Sequence, residues 1–338
     1  MSKHGKREKF TPRADPNSYY GRPILKPPAW DWRIPAYLFA GGLSAGSTLL
    51  STGADLSGRP LLCRRGRIAA LAGLGASTYF LVSDLGRPER FHHMLRVAKP
   101  TSPMSVGTWI IAGYSPGIGL AAVSELLPAR WRSRLLGRVL CRLARPAALS
   151  SAALAPALAS YTAVLLSQTS VPAWNSAHPY LPFVFTGSAA ASSGGLGMLL
   201  APVAEAGPAR TFAATGAAAE LLASRVMDSR LGLVGEAYEQ GSAHRLRKAS
   251  EYLTAAGLVG TLLGRHNRTA AAAAGLALMA GSVLQRFGVF AAGVASTRDP
   301  RFVVAPQRER LAARSGEDPQ PSGSSSSSIT ASQATARE

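Results

Sequence analysis

Along this chain, stretches dominated by Ala, Gly, Leu and Val alternate with short segments crowded with arginine. A helix needs about 20 predominantly apolar residues to cross the hydrocarbon core of a bilayer. On that measure the pattern predicts eight spans. They run at about Ile34–Ala54, Ile68–Asp84, Met104–Leu127, Pro146–Gln168, Pro179–Ala201, Ala209–Met227, Tyr252–Gly264 and Thr269–Val294. The last two are rich in Ala and only weakly hydrophobic. Polar segments flank this region. Residues 1–33 form a basic, Pro-rich arm, residues 34–294 the spanning domain, and residues 295–338 a polar tail. The end of that tail, SGSSSSSITASQATARE, has the composition of a disordered segment.

The predicted class is therefore all-α and polytopic. Composition fits once its distribution is considered. The 338 residues carry a formal net charge of +19, a balance also found in nucleic-acid-binding proteins. Here, however, no Asp, Glu, Lys or Arg occurs between Arg145 and Glu205, a gap long enough for two spans. The mean hydropathy of +0.09 is low for a membrane protein. The polar ends dilute it, and the spans use small residues, which let helices approach closely in lipid. The N-terminus MSKHGKREKFTPRAD is long and polar, so the first helix is expected to direct insertion. Tyr19, Tyr20, Trp30 and Trp32 suit the headgroup level. The positive-inside rule gives a mixed answer. Arginines crowd the loops after spans one and three, yet the N-terminal arm is basic too, and orientation stays open.

Cys63 and Cys141 stand apart from each other and from any cluster, so they read as unpaired loop residues on one side of the membrane. Iron–sulfur clusters and structural zinc usually take four ligands, which this chain does not supply. A haem held by two histidines needs both rings at membrane depth. All six histidines fall in loops or at helix ends, so no transmembrane haem is expected. Redox work would then use a diffusible carrier, and a quinone suits an apolar cleft near the interface.

One segment between spans two and three is unusually charged: SDLGRPERFHHMLRVAKPTSPMSVGTW, Ser83–Trp109. Phe91, Met94, Leu95 and Ala98 recur at helical spacing after Pro88, and Pro100 and Pro103 close the pattern. This predicts a short amphipathic helix on the membrane surface. Its wording, with DLGRPERF, MLRV, KP and SPMSVGTW, closely resembles the hallmark loop of the NrfD/polysulfide-reductase membrane-subunit family. WDWRIPAYLFAGGLSAGS (Trp30–Ser47) is similar to that family's first helix. YTAVLLSQTSVPAWNSAHPYLPFVF (Tyr161–Phe185) is similar to its junction between the fourth and fifth helices, and GLVGEAYEQG (Gly232–Gly241) is a weaker match. The resemblance covers roughly residues 17–292.

The resemblance implies about eight transmembrane helices as two four-helix bundles in the cell membrane, with no role in nucleic-acid binding. It implies a quinone site, for menaquinone or ubiquinone, near the start of helix one and the end of helix four. It also implies an iron–sulfur, ferredoxin-like partner subunit and a separate catalytic partner, of molybdopterin type or similar. Tyr161 matches the tyrosine of the family's YTG-type motif, which bonds a quinone oxygen. Trp30, Asp31, Arg33 and Tyr37 lie at the start of helix one. Some family members carry His and Asn there; this chain has WDWR, so either Asp31 takes over as proton acceptor or the site is altered or lost. His92 and His93 titrate near neutral pH and can relay protons, or they are simply solvated. Arg87, Arg90, Arg96 and Lys99 can dock a partner or bind anionic lipid. Asp84, where span two meets the loop, is read as an intramembrane charge or as a partner of Arg87 or Arg90.

Glu220 and Arg225 read as charges within a span, where such residues are rare and usually paired or functional. Five positions apart, they lie about 140° around one helix and are expected to find partners on other helices. The main alternatives to a quinone-reactive subunit are a transporter and a plain anchor without quinone binding.

Overall fold

The computed structural model describes residues 24–264 and 266–315. The basic, Pro-rich arm before Ile24 and the serine-rich end of the tail, expected above to be disordered, lie outside the described residues. Those described are helical, with no strand among them. In chain order the helices are α1 (Arg33–Leu56), α2 (Pro60–Asp84), α3 (Pro103–Leu126) and α4 (Ala129–Arg132). Then come α5 (Leu135–Ser167), α6 (Pro172–Ser176), α7 (Leu181–Leu200) and α8 (Gly207–Arg230). The last are α9 (Gly241–Leu263), α10 (Arg268–Ser296) and α11 (Arg301–Ser315). Two 3₁₀ segments, Pro88–Leu95 and Gly232–Tyr238, join α2 to α3 and α8 to α9.

Four helices, α3, α5, α7 and α10, are long and apolar enough to cross a membrane. A fifth crossing results if α2 is taken together with Pro88–Leu95, which bends from it by 108°. The other long helices have similar length but carry more polar and charged residues, some of which the fold buries. In α1 these are Ser44, Ser47, Thr48 and Ser51. Ser44 Oγ donates to Ala70 O (2.7 Å), and the Tyr114 hydroxyl meets Ser44 Oγ and Thr48 Oγ1 at 2.8 and 2.5 Å. Satisfied in this way, the groups stitch α1 to α2 and α3 at little cost.

Packing pairs α1 with α2, α3 with α5, α7 with α8 and α9 with α10, while α7 also packs on α10, α1 and α5. Two ends of this layer are chemically distinct. At one end, Arg67 reaches Glu125 at 2.7 Å and Asp55 at 3.7 Å, and Arg145 reaches Asp55 at 3.1 Å. This network ties the ends of α1 and α3 to the starts of α2 and α5. At the other end lies the largest apolar cluster, which gathers Ile34, Tyr37, Tyr161, Trp174, Phe185 and Tyr238.

Several expectations change. The segment after Pro88 is 3₁₀ rather than α and stops at Leu95. None of its residues is buried, so no packing surface rewards the apolar stripe, and 3₁₀ geometry is common in such short connectors. Cys63 and Cys141 are not in loops: Cys63 is buried in the first turn of α2, and Cys141 is exposed on α5. The arginine-rich loop after α3 is mostly helical, because α5 starts at Leu135 and continues through Pro146 and Pro156. The polar loop expected up to Lys248 is helical from Gly241, whose φ of +56° turns the chain into α9. Hydropathy hid that start because its charged residues line a cavity.

Candidate functional site

The sequence motifs converge at the end of the layer opposite the ion-pair network. Tyr37 sits one turn into α1 and is 1% exposed; Tyr161, near the end of α5, is 6% exposed. Both belong to the large apolar cluster, against which Trp30, Phe80, Ile110 and Ile111 also pack. Tyr161 lies flat against α3, because Gly107 leaves room for its ring; a Cβ at Gly107 would overlap it. Among the described residues, neither phenol hydroxyl has a hydrogen-bond partner, whereas those of Tyr114 and Tyr238 do.

Trp30 stacks on Trp174 with ring centroids 5.9 Å apart. Trp174, fully buried in α6, donates Nε1–H to Val289 O at 2.8 Å and fills the space beside Gly293, where a Cβ would overlap the indole. The Tyr238 hydroxyl donates to Ala173 O at 2.9 Å. The α6 turn thus fastens the approach to α1, α10 and the Gly232–Tyr238 segment into one wall. Nothing in the spacing around Trp174 pointed to this role except its position within the recognised junction.

Asp31 is half-exposed. Its Oδ1 accepts the Arg33 N–H at 2.8 Å, and its Oδ2 lies 3.7 Å from the Arg33 guanidinium. Arg33 Nη1 donates to Ser83 O at 2.8 Å. Both residues therefore hold the start of α1 to the end of α2, beside the charged loop. Asp84, half-buried at that end, makes no ion pair with Arg87 or Arg90. His92 and His93 are exposed, with their rings 4.5 Å apart, edge to face. No hydrogen bond joins either to Tyr161 among the described residues. Arg87, Arg90, Arg96 and Lys99 are exposed as well. Ser105 Oγ donates to Val97 O at 2.9 Å and accepts the Lys99 N–H at the same distance, which docks the end of the loop on α3. Among the described residues no group of three or more His, Cys, Asp or Glu is arranged to hold a metal ion.

Glu220 on α8 is buried, whereas Arg225 is exposed, 3.9 Å from Glu251. The more deeply buried cation is Arg286 of α10, which the sequence reading passed over. Its guanidinium donates to Ser188 Oγ (2.6 Å), Ser282 Oγ (3.0 Å) and Phe185 O (3.0 Å) and lies over the Phe185 ring. The signal was available: a single arginine inside an otherwise apolar helix is as conspicuous as Glu220.

The profile of the family described as Polysulphide reductase, NrfD matches residues 25–296. The C component of polysulfide reductase from Wolinella succinogenes is 30% identical over 183 residues, which cover 49% of this chain and 57% of that protein. The C component of selenate reductase from Mesobacillus selenatarsenatis is 39% identical over 89 residues, 25% of this chain and 20% of that protein. The chain thus spans less than two thirds of the length of either relative.

Proposed function

The chain belongs to the NrfD polysulphide reductase family, and on that premise we propose that it is the quinone-reactive membrane subunit of a multi-subunit oxidoreductase. It exchanges electrons between a quinone pool and an iron–sulfur partner subunit, which serves a separate catalytic subunit. In this reading all eight long helices cross the cell membrane, as one group of α1, α2, α3 and α5 and another of α7 to α10. The helix pairings support that grouping.

The observation that carries the proposal is the tyrosine pair. Buried phenols normally find hydrogen-bond partners. Tyr37 and Tyr161 come from two helices, share one apolar cluster and have no hydrogen-bond partner for their hydroxyls among the described residues. Two phenol donors beside an apolar, aromatic cluster suit a quinone: the aromatic groups take the ring, and the phenols donate to its carbonyl oxygens. Menaquinone and ubiquinone both fit this description. A bound quinone supplies coupled electron and proton chemistry. The chain's own part is to orient the head group, exclude water and hold a proton nearby. A phenol O–H bond to an oxygen strengthens as negative charge develops there. Asp31, half-exposed at the start of α1, is the proton acceptor on the route to bulk water, with His92 and His93 as relays on the neighbouring loop. Arg87, Arg90, Arg96 and Lys99 form the exposed basic face for the partner subunit.

The test is quinone turnover by the purified complex carrying Tyr161→Phe, which keeps the ring and removes the donor. Loss of one such bond costs on the order of 1–3 kcal/mol, a tenfold to hundredfold drop in rate, with partner assembly unchanged. Wild-type turnover in the variant would remove Tyr161 from the site. A wild-type chain that assembles with its partner yet shows no quinone turnover would favour the plain anchor.

A further inference from the structure

A charged cavity lies apart from the tyrosine pair. It opens between α8, α9, α10 and the Gly232–Tyr238 segment and has a volume of about 370 Å³. At its mouth the charges are mutually paired. Arg225 and Lys248 flank Glu251 at 3.9 and 3.0 Å, and Arg247 meets Asp228 at 2.8 Å. Glu239 and His244 complete the exposed rim, and Tyr238 lines the wall with its hydroxyl committed to Ala173 O.

The floor is different. Glu220 is 2% exposed, and its Oε2 has no hydrogen-bond partner. Thr254 Oγ1 and Arg247 Nε, on the same lining, are also buried without partners. Such orphans are rare in folded proteins, yet of the six fully buried side-chain atoms without a partner among the described residues, three border this one cavity. A polar cavity of this size has room for several waters at roughly 30 Å³ each.

Behind the floor stands Arg286, with no ion pair among the described residues and an unpartnered Nε. From α7, Ser188 stands between the two groups: its Oγ accepts from Arg286 at 2.6 Å and also neighbours the Glu220 carboxyl, which feels the Arg286 charge. From α10, Gln285 lines the cavity and reaches Ser224 at 3.4 Å. Arg286 also extends to α1, where a Cβ at Gly42 would lie 3.0 Å from Nη2. Counted from the C-terminal ends of α8 and α10, Glu220 and Arg286 both lie about 15 Å down their helices, at 1.5 Å per residue.

We propose that Glu220 is a proton-exchanging carboxyl inside the helical layer, loaded from water in this cavity. A carboxylate out of water is costly unless it is paired, and here the cavity brings both water and protons to it. In the loading step a cavity water gives a proton to Oε2. That water's O–H bond breaks as a carboxyl O–H forms, and the water takes a proton in the same relay from its neighbours and finally from hydronium in bulk solvent, so no hydroxide is left and no electron moves. Arg286 is the unpaired cation behind the acid, so the proton's arrival and departure change the field felt at the junction of α1, α7 and α10. This role does not depend on the quinone reading.

The test is infrared spectroscopy of the purified full-length chain in lipid nanodiscs, in H₂O and D₂O, from mildly acidic to mildly alkaline pH. The expected result is a protonated-carboxyl band that titrates, shifts within minutes of transfer to D₂O, and is missing in Glu220→Gln. Glu220→Asp should restore a band at a shifted frequency. Ser224→Phe, which narrows the cavity, should slow the deuterium shift. Circular dichroism checks that each variant keeps its helix. Spectra of wild type and Glu220→Gln that are identical across the range would overturn the proposal. So would a Glu220 band that does not exchange over hours, which marks a sealed structural acid. If Glu220→Gln fails to fold, Glu220→Asp decides: a shifted band supports the proposal, and an unshifted spectrum overturns it.

Discussion

The contact between Gly107 and Tyr161 yields a quantitative prediction. A methyl group on Gly107 would overlap the Tyr161 ring. Gly107→Ala has two opposed effects. In the second turn of α3 it removes glycine's entropic disadvantage, worth up to about 1 kcal/mol in favour of Ala. It also overpacks the α3–α5 contact, which typically costs about 1–3 kcal/mol. The net change is destabilisation of about 0–2 kcal/mol. In a Tyr161→Ala background the ring is gone, so the same Gly107→Ala change should be neutral or stabilise by up to about 1 kcal/mol. The coupling energy between the two sites is therefore about 1–3 kcal/mol, within the range measured for residues in direct contact. The assay is reversible unfolding of the four proteins of the cycle in mixed micelles, followed by circular dichroism. If Gly107→Ala changes stability equally in both backgrounds, the ring does not rest on Gly107, and the placement of Tyr161 at the head of α3 is wrong. Gly107→Ala alone should also lower quinone turnover while leaving the complex assembled.

Other consequences are simpler to check. Gly293→Ala should disrupt the seat of Trp174 and lower thermal stability by an amount on the order of 1–3 kcal/mol, with the intrinsic tryptophan emission shifted. Arg67→Ala leaves Glu125 and Asp55 without their shared cation and should destabilise by about 2 kcal/mol, less than for a fully dry pair because both acids are partly solvated; a change smaller than experimental error would dismiss the network as ornamental. Replacing Arg87, Arg90 and Arg96 together with Ala should release the partner subunit at moderate salt while membrane insertion continues, and intact co-purification would assign them to lipid instead. With all eight helices crossing, the native exposed Cys141 and a cysteine introduced at Glu89 should react with membrane-impermeant reagent from opposite faces, and labelling from one face would reject that crossing pattern.

Much of the helix layout was legible because apolar runs of span length leave few alternatives. The starts of α3, α7 and α8 could be located from proline near the first helical position, where its missing N–H costs nothing. The beginnings of α5 and α9 were not legible, because a helix whose early residues are Arg138, Arg142, His244 and Arg247 looks like a loop to hydropathy. Periodicity misjudged the segment after Pro88, since a stripe of four apolar residues cannot reveal whether any surface exists to bury it. At the site, the motif wording drew attention to Tyr161 and to the start of helix one, and both belong to the same end of the layer. The tyrosine pair itself, the Trp174 wall and Arg286 needed three-dimensional proximity, because each depends on contacts between helices roughly a hundred or more positions apart in sequence.

The central claim is that a quinone binds against Tyr161 and Tyr37, and photo-cross-linking tests it most directly. The complex would be irradiated with a photoreactive quinone analogue, digested, and mapped by mass spectrometry, with natural quinone as competitor. The account predicts competitor-sensitive label on peptides from the start of α1 and the end of α5, around Trp30–Tyr37 and Tyr161–Leu166, and reduced label in the Tyr37→Phe, Tyr161→Phe double variant. Label confined instead to a separate apolar groove that α7 and α8 form with Phe183 and Leu222 on its lining, or label indifferent to competitor, would contradict it.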